Sequence, residues 1–214
     1  MIRRRKLLSQ ISNVSSLSSS AHLDFGCGSQ PRNPFNAKMF STVDVCRSSP
    51  EIPTNLIQAG EAFPFPENFF SSVSAYDVVE HLSRDSTRGN DFIFYMKEIY
   101  RVLRPGGVAL IIFPAFPHRD AFSDPTHINF ITPHTLDYFV GNKLPPFYAG
   151  IDTNFQILLN KPLRFWKNWV VTSVVETNFE PISFRRKISL AKRTLGRIIW
   201  PQHRIWLLQK PYER

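Results

Sequence analysis

The chain has 214 residues, of which 43% are hydrophobic, and a formal net charge of +9 at pH 7. This size and composition predict one globular domain with a sizeable core. The sequence has no apolar run near the roughly 20 residues that span a bilayer. It has no signal-type apolar stretch after its basic start, and its two cysteines are too few for a disulfide framework. We therefore expect a soluble, cytoplasmic protein.

The positive charge is concentrated at the two ends of the chain. Residues 1–8 carry +4, residues 9–160 carry −4 and residues 161–214 carry +9. Such asymmetry indicates an anionic partner for the ends, which is a membrane surface, a phosphate-bearing carrier or nucleic acid. A solvated, solubilising surface is the alternative, and the sequence leaves both open.

Short apolar runs separated by turn residues follow a Ser-rich stretch at residues 15–20. Continuous runs of this kind predict strands buried on both faces of a sheet. In chain order the predicted strands are Ala21–Phe25, Phe40–Val45, Leu56–Ala59, Ser72–Tyr76, Val108–Phe113, Phe155–Leu159 and Ile205–Leu208. Strands that alternate with helical segments predict an α/β fold, a mostly parallel sheet with helices on both faces.

Two segments have helical periodicity. The first is predicted to begin after an N-cap at Asn90 and to end at Pro105-Gly106-Gly107. Its apolar face consists of Phe92, Met96, Ile99 and Leu103. The second, within residues 185–200, places apolar residues on one face and Arg and Lys mostly elsewhere, which predicts a basic amphipathic helix inserted near the C-terminus.

The first predicted strand runs into Gly26-Cys27-Gly28, and the second ends at Asp44, about twenty residues after the start of the first. Glycines let backbone N–H groups approach a ligand closely, and a carboxylate in the second position can accept hydrogen bonds from both hydroxyls of a ribose. The third glycine of the dinucleotide fingerprint is missing, because Pro31 and Arg32 follow the turn. The pattern predicts a nucleoside ligand without a pyrophosphate.

These motifs resemble the type 11 methyltransferase domain of the class I S-adenosylmethionine-dependent methyltransferases. The resemblance covers roughly residues 21–140. It rests on five pieces in the family's order, which are Leu23-Asp24-Phe25-Gly26-Cys27-Gly28, Thr42-Val43-Asp44-Val45, Gly60-Glu61-Ala62-Phe63-Pro64-Phe65, Asp77-Val78-Val79-Glu80-His81-Leu82 and Glu98-Ile99-Tyr100-Arg101-Val102-Leu103-Arg104-Pro105-Gly106-Gly107. It implies a Rossmann-like sheet of seven strands with the last one antiparallel.

The resemblance also implies the cofactor, S-adenosyl-L-methionine, and its contacts. Residues 21–140 would form the cofactor-binding core, residues 141–214 the substrate side, and residues 1–20 a flexible lead-in to this single domain of residues 21–214. For the methionine part, the implied contacts are Gly26 and Gly28, with Asp24 at its ammonium group. For the nucleoside, they are Asp44 at the ribose, Val45 on the adenine, and Gly60 and Glu61 at the adenine edge. Tyr76 would contact the sulfonium, because aromatic faces attract cations. Cys27 is interpreted as a small filler of the turn.

The sequence departs from the family pattern at three places. Ala59 and Ser71 stand where the family often has an acid, which predicts a weaker hold on the cofactor. Pro31 and Pro34 lie between the first two strands, so the first helix is expected to be short or replaced by a loop.

The segment that follows the fifth strand is expected to contact the methyl acceptor, because ligands of such sheets bind beyond the carboxyl ends of the strands. His127 is the predicted base and Asp124 its orienting partner. The alternative is that both residues fix a turn before a helix that begins near Thr132-Pro133. His81 is predicted to hold a loop, and the spacing of histidines, cysteines and acids predicts no metal site.

The sequence therefore predicts a methyltransferase, which we expect to O-methylate a small molecule or a sugar of a glycan or lipid-linked pathway, with peripheral contact to an anionic membrane or a phosphate-bearing carrier. Two alternatives stay open. One is a nucleic-acid methyltransferase, against which stand the missing motifs for a flipped base and the missing RNA-binding module. The other is a methyltransferase-like domain without catalysis that serves as an interaction surface.

Overall fold

A computed structural model describes residues 21–46, 50–84, 89–141, 151–163 and 202–212. The predicted lead-in at residues 1–20 and the predicted basic helix within residues 185–200 lie outside the described residues. In the part of the chain that the structure describes, no helix is both long and apolar enough to cross a membrane.

All seven predicted strands are present. They are β1 (Ala21–Phe25), β2 (Met39–Asp44), β3 (Asn55–Leu56), β4 (Phe70–Tyr76), β5 (Leu103–Pro114), β6 (Gln156–Leu163) and β7 (His203–Gln209). The third is shorter than the predicted Leu56–Ala59, because the chain turns at Gln58 to Glu61, where the N–H of Glu61 bonds back to the carbonyl of Gln58.

The strands form one sheet in the order β3-β2-β1-β4-β5-β7-β6. Strands β1 to β5 pair in parallel, and β7 runs antiparallel to both of its neighbours. The predicted Rossmann-like sheet of seven strands, with the last one antiparallel, is confirmed. The carboxyl ends of β1, β2, β4 and β5 therefore lie along one edge, where a ligand site is expected.

The centre of the sheet explains why these runs become strands. Every residue of β4 is buried, as are residues 106–114 of β5. Their apolar side chains pack with Trp206 of β7 and with the buried face of the long helix in a single core. Strands covered on both faces read as continuous apolar runs, which is the pattern seen in the sequence.

The long helix, α1, spans Asp91–Val102. Asn90 is its N-cap, since the Asn90 side chain accepts a hydrogen bond from the N–H of Ile93. The predicted end at Pro105-Gly106-Gly107 is wrong. The helix ends at Val102, because Leu103 turns into β5 and pairs with Phe70.

The other helices of the described residues are short. They are α2 (Asp120–Ser123) and the 3-10 helices Val79–His81 and Pro133–Tyr138. Residues 26–38, between β1 and β2, form a loop, as Pro31 and Pro34 predict. Phe35 in this loop is buried against His22 of β1, so a packed loop covers this face where a longer linker would place a helix.

Candidate functional site

The glycine turn lies at the carboxyl end of β1, and its two glycines have different surroundings. Gly26 has φ +67°, and a Cβ built on it would lie 2.5 Å from Cγ2 of Val78. Gly28 has φ +53°, and a Cβ there would meet no atom within 4 Å. Gly26 is therefore needed for close packing against the loop after β4, whereas Gly28 borders open space in which a ligand can lie.

Asp44 closes the turn from the neighbouring strand. Its Oδ2 accepts a hydrogen bond of 2.9 Å from the N–H of Gly28, and its Oδ1 accepts one of 2.7 Å from the N–H of Val45. The N–H of Cys46 also donates to Oδ1, at 3.2 Å, so the carboxylate is fixed between the turn and the end of β2, and Oδ2 keeps a lone pair for a further donor. Val45 follows with 56% of its surface exposed, an apolar side chain beside a fixed acid.

Cys27 lies between the two glycines, with Sγ 3.8 Å from Oγ1 of Thr54. The side chain is buried, and burial raises the pKa of the thiol. A thiol held in its neutral form is a poor nucleophile, which agrees with the interpretation of Cys27 as a filler.

A chain of buried polar groups lies below the turn. Asp24 accepts hydrogen bonds from the Ser74 hydroxyl at 2.6 Å and from the N–H of Arg32 at 2.8 Å. Burial raises the pKa of Asp24 to about 6. Both carboxylate oxygens have a protein donor, so Asp24 holds the loop after the glycine turn in place, and its link to an ammonium group, direct or through water, stays a prediction.

His22 continues this chain. Its Nε2 faces the Ser74 hydroxyl at 2.9 Å and the Arg32 carbonyl at 3.2 Å, and its Nδ1 faces the Ser72 hydroxyl at 2.8 Å. A carbonyl only accepts, so Nε2 carries the proton and Nδ1 accepts from Ser72. Burial lowers the pKa of His22 to about 3, which keeps the ring neutral.

Tyr76 ends β4 beside the turn. The guanidinium carbon of Arg32 lies 4.7 Å from the centroid of the Tyr76 ring. The hydroxyl of Tyr76 is buried without a hydrogen-bond partner, and burial raises the pKa of this phenol. A cation thus stands on the aromatic face that the sequence assigns to a sulfonium. Arg32 was not among the predicted site residues, although a base in the loop directly after a glycine turn was a signal for it.

The loop after β3 contributes Gly60 and Glu61. The N–H of Gly60 donates to the Tyr95 hydroxyl at 3.0 Å, which ties this loop to α1. Glu61 accepts from the N–H of Gln58 at 2.8 Å and is exposed. These contacts fix the backbone of the loop that the sequence places at the adenine edge.

The two missing acids have different consequences. Ala59 is exposed in this loop, so the acid that the family often has would lie at the surface. Ser71 is buried inside the sheet, where its hydroxyl donates to the carbonyl of Ala21 at 2.8 Å. Ser71 is near the start of β4, at the edge opposite the glycine turn, and links two strands.

The site combines an open glycine turn, a fixed carboxylate one strand away and an aromatic face that carries a cation. Residues 23–111 match the family model described as a methyltransferase domain. Over these residues the chain is similar to the class I S-adenosylmethionine-dependent methyltransferases. The residues fit the nucleoside of that cofactor, because Gly28 borders open space, Asp44 is fixed beside it and Val45 is exposed, whereas the Tyr76 face that would meet the sulfonium carries Arg32.

Solved structures support the fold. A SAM-dependent methyltransferase from Archaeoglobus fulgidus is 17% identical with a TM-score of 0.53, and the alignment covers 97% of this chain and 95% of that one. One from Mesorhizobium loti is 11% identical with a TM-score of 0.54, covering 94% and 96%. The [4+2]-cyclase SpnF, at 15% identity and a TM-score of 0.54, covers 98% and 82%. No curated protein matches the sequence significantly. At these identities the likeness shows the fold, and the cyclase illustrates that this fold hosts more than one chemistry.

At the same edge of the sheet, the loops that follow β4 and β5 lie against each other. The N–H groups of Ile128 and Asn129 donate to the carbonyl of Glu80 at 2.9 and 3.0 Å. The Asn129 amide donates to the carbonyls of Val79 and Leu82 at 3.1 and 2.6 Å. The predicted base His127 is thereby held beside Glu80, with Nε2 of the histidine 3.9 Å from Oε1 of the acid.

Asp124 has a different role from the predicted one. The nearest approach of its carboxylate to His127 Nε2 is 4.0 Å, beyond hydrogen-bond length. It accepts instead from the N–H and hydroxyl of Thr126 at 2.8 and 2.6 Å, as the turn alternative predicts. The group that orients His127 is the Ala121 carbonyl, 3.2 Å from Nδ1. The expected helix begins at Pro133 with Thr132 as its N-cap.

An aromatic patch flanks His127. It consists of Phe116, Phe122, Ile128 and Phe130, which are 39–51% exposed. Phe122 and Phe130 are stacked with their ring centroids 4.9 Å apart. An exposed apolar patch of this kind is typical of a binding surface.

Proposed function

We propose that the protein transfers a methyl group from S-adenosylmethionine to a hydroxyl of a small molecule or sugar. The cofactor contacts would be those the sequence predicts, with Asp44 accepting from the ribose hydroxyls, Val45 packing on the adenine and Gly28 bordering the methionine part. Arg32 adds a cation that can pair with the carboxylate of the methionine part once its guanidinium leaves the Tyr76 ring.

When bound, S-adenosylmethionine supplies a methyl group on a sulfonium. Asp44, Val45 and Gly28 would hold the cofactor so that its methyl carbon passes to the acceptor oxygen and the electron pair of the broken carbon–sulfur bond stays on sulfur. The hydroxyl proton must leave, and we expect His127 to take it. The orientation of His127 carries this proposal. Because Nδ1 donates to the Ala121 carbonyl, Nε2 is left with its lone pair at the carboxyl ends of β4 and β5.

The aromatic patch supports an acceptor with an apolar face. A sugar ring presents such a face while its hydroxyl groups point outward, and the exposed parts of Phe122 and Phe130 offer an apolar surface for it. A fully charged acceptor would gain little from this surface. The patch therefore favours a sugar or an aromatic alcohol, free or linked to a lipid.

A radiolabelled methyl donor tests the proposal with sugars, nucleotide sugars and aromatic alcohols as acceptors. His127→Gln should leave S-adenosylmethionine affinity unchanged and lower transfer by ~10²-fold or more. His134→Gln is the matched control, since its side chain is 91% exposed outside the site. Transfer that survives His127→Gln would overturn the role of His127. No binding of S-adenosylmethionine in calorimetry would overturn the proposed function.

The second candidate is a methyltransferase-like domain without catalysis, which the position of Arg32 favours. Its guanidinium stands on the ring that the sulfonium would use, so cofactor binding requires Arg32 to move. Arg32→Ala distinguishes the two. A gain of cofactor binding in Arg32→Ala over an inert wild type would support the second candidate, and a loss of affinity would support the carboxylate contact.

Peripheral contact with an anionic membrane is a further part of the proposal, based on the charge of +9 in residues 161–214. Truncation before residue 161 is unsuitable as a test, because β7 lies between β5 and β6 in the sheet. A variant with glutamine at Arg186, Lys192, Arg193 and Arg197 keeps the full chain and leaves the sequences of β6 and β7 unchanged. We expect this variant to lose co-sedimentation with anionic liposomes, and equal sedimentation of both proteins would refute the membrane contact. The nucleic-acid alternative rests on the same charge and stays a prediction.

A further inference from the structure

Glu80, His81 and His127 form a cluster, and the proposed methyl transfer gives a role to His127 alone. Glu80 and His81 belong to the 3-10 helix that follows β4, and His127 lies in the loop after α2. One ligand atom from each residue lies within 4.8 Å of the other two. The rings of His81 and His127 meet edge to face with centroids 4.7 Å apart.

The carboxylate of Glu80 is buried without a hydrogen-bond donor. Its side chain is 2% exposed, and neither carboxylate oxygen has a hydrogen-bond donor. Buried carboxylates in proteins are paired with a cation, hydrogen-bonded or bound to a metal, because an isolated buried charge is strongly unfavourable. Nε2 of His127 lies 3.9 Å from Oε1 of Glu80, which is too far for a hydrogen bond.

Both histidines are oriented through the same ring atom. Nδ1 of His127 faces the Ala121 carbonyl at 3.2 Å, so this nitrogen is the donor. Nδ1 of His81 faces the hydroxyl of Thr126 at 2.9 Å, and that hydroxyl donates to Asp124 at 2.6 Å. The Thr126 oxygen must therefore accept from His81. Each ring is left with its lone pair on Nε2, the arrangement in which a metal-binding histidine is fixed by a hydrogen bond at its other nitrogen.

The three donor atoms lie within 4.8 Å of one another and must move closer together to bind one cation. Tetrahedral coordination with bonds of about 2.0–2.2 Å places donor atoms roughly 3.4 Å apart. The separation of 3.9 Å between His127 and Glu80 needs to shorten by about half an ångström, which a side-chain rotation supplies. Two imidazoles and one carboxylate form the ligand set of open catalytic zinc sites and of other transition-metal sites with free positions.

We propose that Glu80, His81 and His127 bind a divalent transition-metal ion, such as Zn²⁺ or Mn²⁺, whose open positions face the acceptor side. A cation there would bind the acceptor hydroxyl and lower its pKa, so that the proton leaves to water and His127 serves as a ligand rather than a base. This catalytic part rests on the proposed function, whereas metal binding does not. The spacing of these residues concealed the site, since His127 is 46 positions beyond His81 in the chain.

Metal binding is tested on the full chain after treatment with a chelator. Equilibrium dialysis against Zn²⁺ or Mn²⁺, with elemental analysis, should find one ion per chain, and Co²⁺ should give the visible spectrum of a nitrogen- and oxygen-bound ion. We expect Glu80→Gln and His127→Ala to weaken binding by ~10-fold or more, since even changes outside the ligand set cost 10–100-fold. His134→Ala, at an exposed histidine 3.3 Å from an acid, is the matched control.

Glu80→Gln should fold without difficulty, because the wild-type carboxylate has no hydrogen bond to lose. Its metal-free thermal midpoint is expected to equal or exceed that of the wild type. A wild type that binds less than one ion, or a Glu80→Gln protein that binds as tightly as the wild type, would overturn the metal site.

A second pair of measurements distinguishes the metal site from the proposed function. Methyl transfer that persists in the chelated protein, together with S-adenosylmethionine binding, would leave the proposed function intact and overturn the catalytic part. An ion that binds to a protein with no affinity for S-adenosylmethionine would support the metal site and refute methyl transfer.

Discussion

Gly26 and Gly28 are expected to respond differently to the same substitution. Gly26→Ala places a methyl group 2.5 Å from Val78 at φ +67°. The left-handed backbone costs about 1 kcal/mol and the overpacking about 1–3 kcal/mol. We therefore expect a loss of about 2–4 kcal/mol in the free energy of unfolding. For a chain of this size, that corresponds to a fall in the thermal midpoint of about 4–16 °C.

Gly28→Ala should change stability little and cofactor affinity strongly. Its added methyl group meets no protein atom within 4 Å, so about 1 kcal/mol of backbone strain is the whole cost to folding. The methyl group enters the space that we assign to the cofactor, and we expect affinity for S-adenosylmethionine to fall by ~10-fold or more.

Thermal melts and calorimetry with S-adenosylmethionine measure the two effects. Gly89→Ala is the matched control for strain, because Gly89 has φ +91°, has open space around its Cβ position and is not part of the glycine turn. It should lower the midpoint slightly and leave cofactor affinity unchanged. A Gly28→Ala protein that binds the cofactor as tightly as Gly89→Ala would refute the placement of the ligand beside Gly28.

Three further predictions concern polar groups and the aromatic patch. Asp44→Asn should weaken S-adenosylmethionine binding by ~10-fold or more in calorimetry, because it removes a charged hydrogen-bond acceptor. Asp137→Asn, at an exposed acid, is the control. Equal affinities of the two variants would contradict the ribose contact. His22 has a pKa of about 3 in the folded protein, below its ordinary 6.5, so its contribution to stability is complete above pH 6.5 and is lost as the pH falls toward 3. Denaturant melts of His22→Asn should therefore show a slope of unfolding free energy against pH that is shallower by up to about 1.4 kcal/mol per pH unit in that window, and parallel slopes would contradict a buried neutral ring. Phe122→Ala should raise the KM for the acceptor with little change in kcat, and an unchanged KM would show that the aromatic patch does not bind the acceptor.

The sheet could be predicted from the sequence because its strands are buried on both faces and bounded by turn residues. The glycine turn and Asp44 could be located because each directly follows a strand, so that strand order brings them together. The end of α1 could not be placed, since Leu103 continues the helical period although it pairs with Phe70. Periodicity reports which side of an element is apolar, whereas the end of an element depends on its neighbours in space.

The rest of the site depends on contacts between distant parts of the chain. Glu80 and His127 meet because two backbone N–H groups of the loop after β5 bond to the Glu80 carbonyl. Arg32 reaches Tyr76 through a loop without regular structure. Such contacts leave no period in the sequence. The sequence relates Ser71, where the family often has an acid, to cofactor affinity. The structure shows that the Ser71 hydroxyl links β4 to β1 at the edge of the sheet opposite the glycine turn.

The position of β7 has a consequence for the order in which the chain can fold on the ribosome. β7 pairs with both β5 and β6. The pairing edges of β5 and β6 therefore stay without a partner strand until residues 203–209 have been synthesised. Strands β1 to β5 are available long before, and closing the loop of about ninety residues between β5 and β7 is the late, slow step. Until then the apolar edge of β5 is exposed to other chains, and nascent protein stalled before β7 should be the species that chaperones bind.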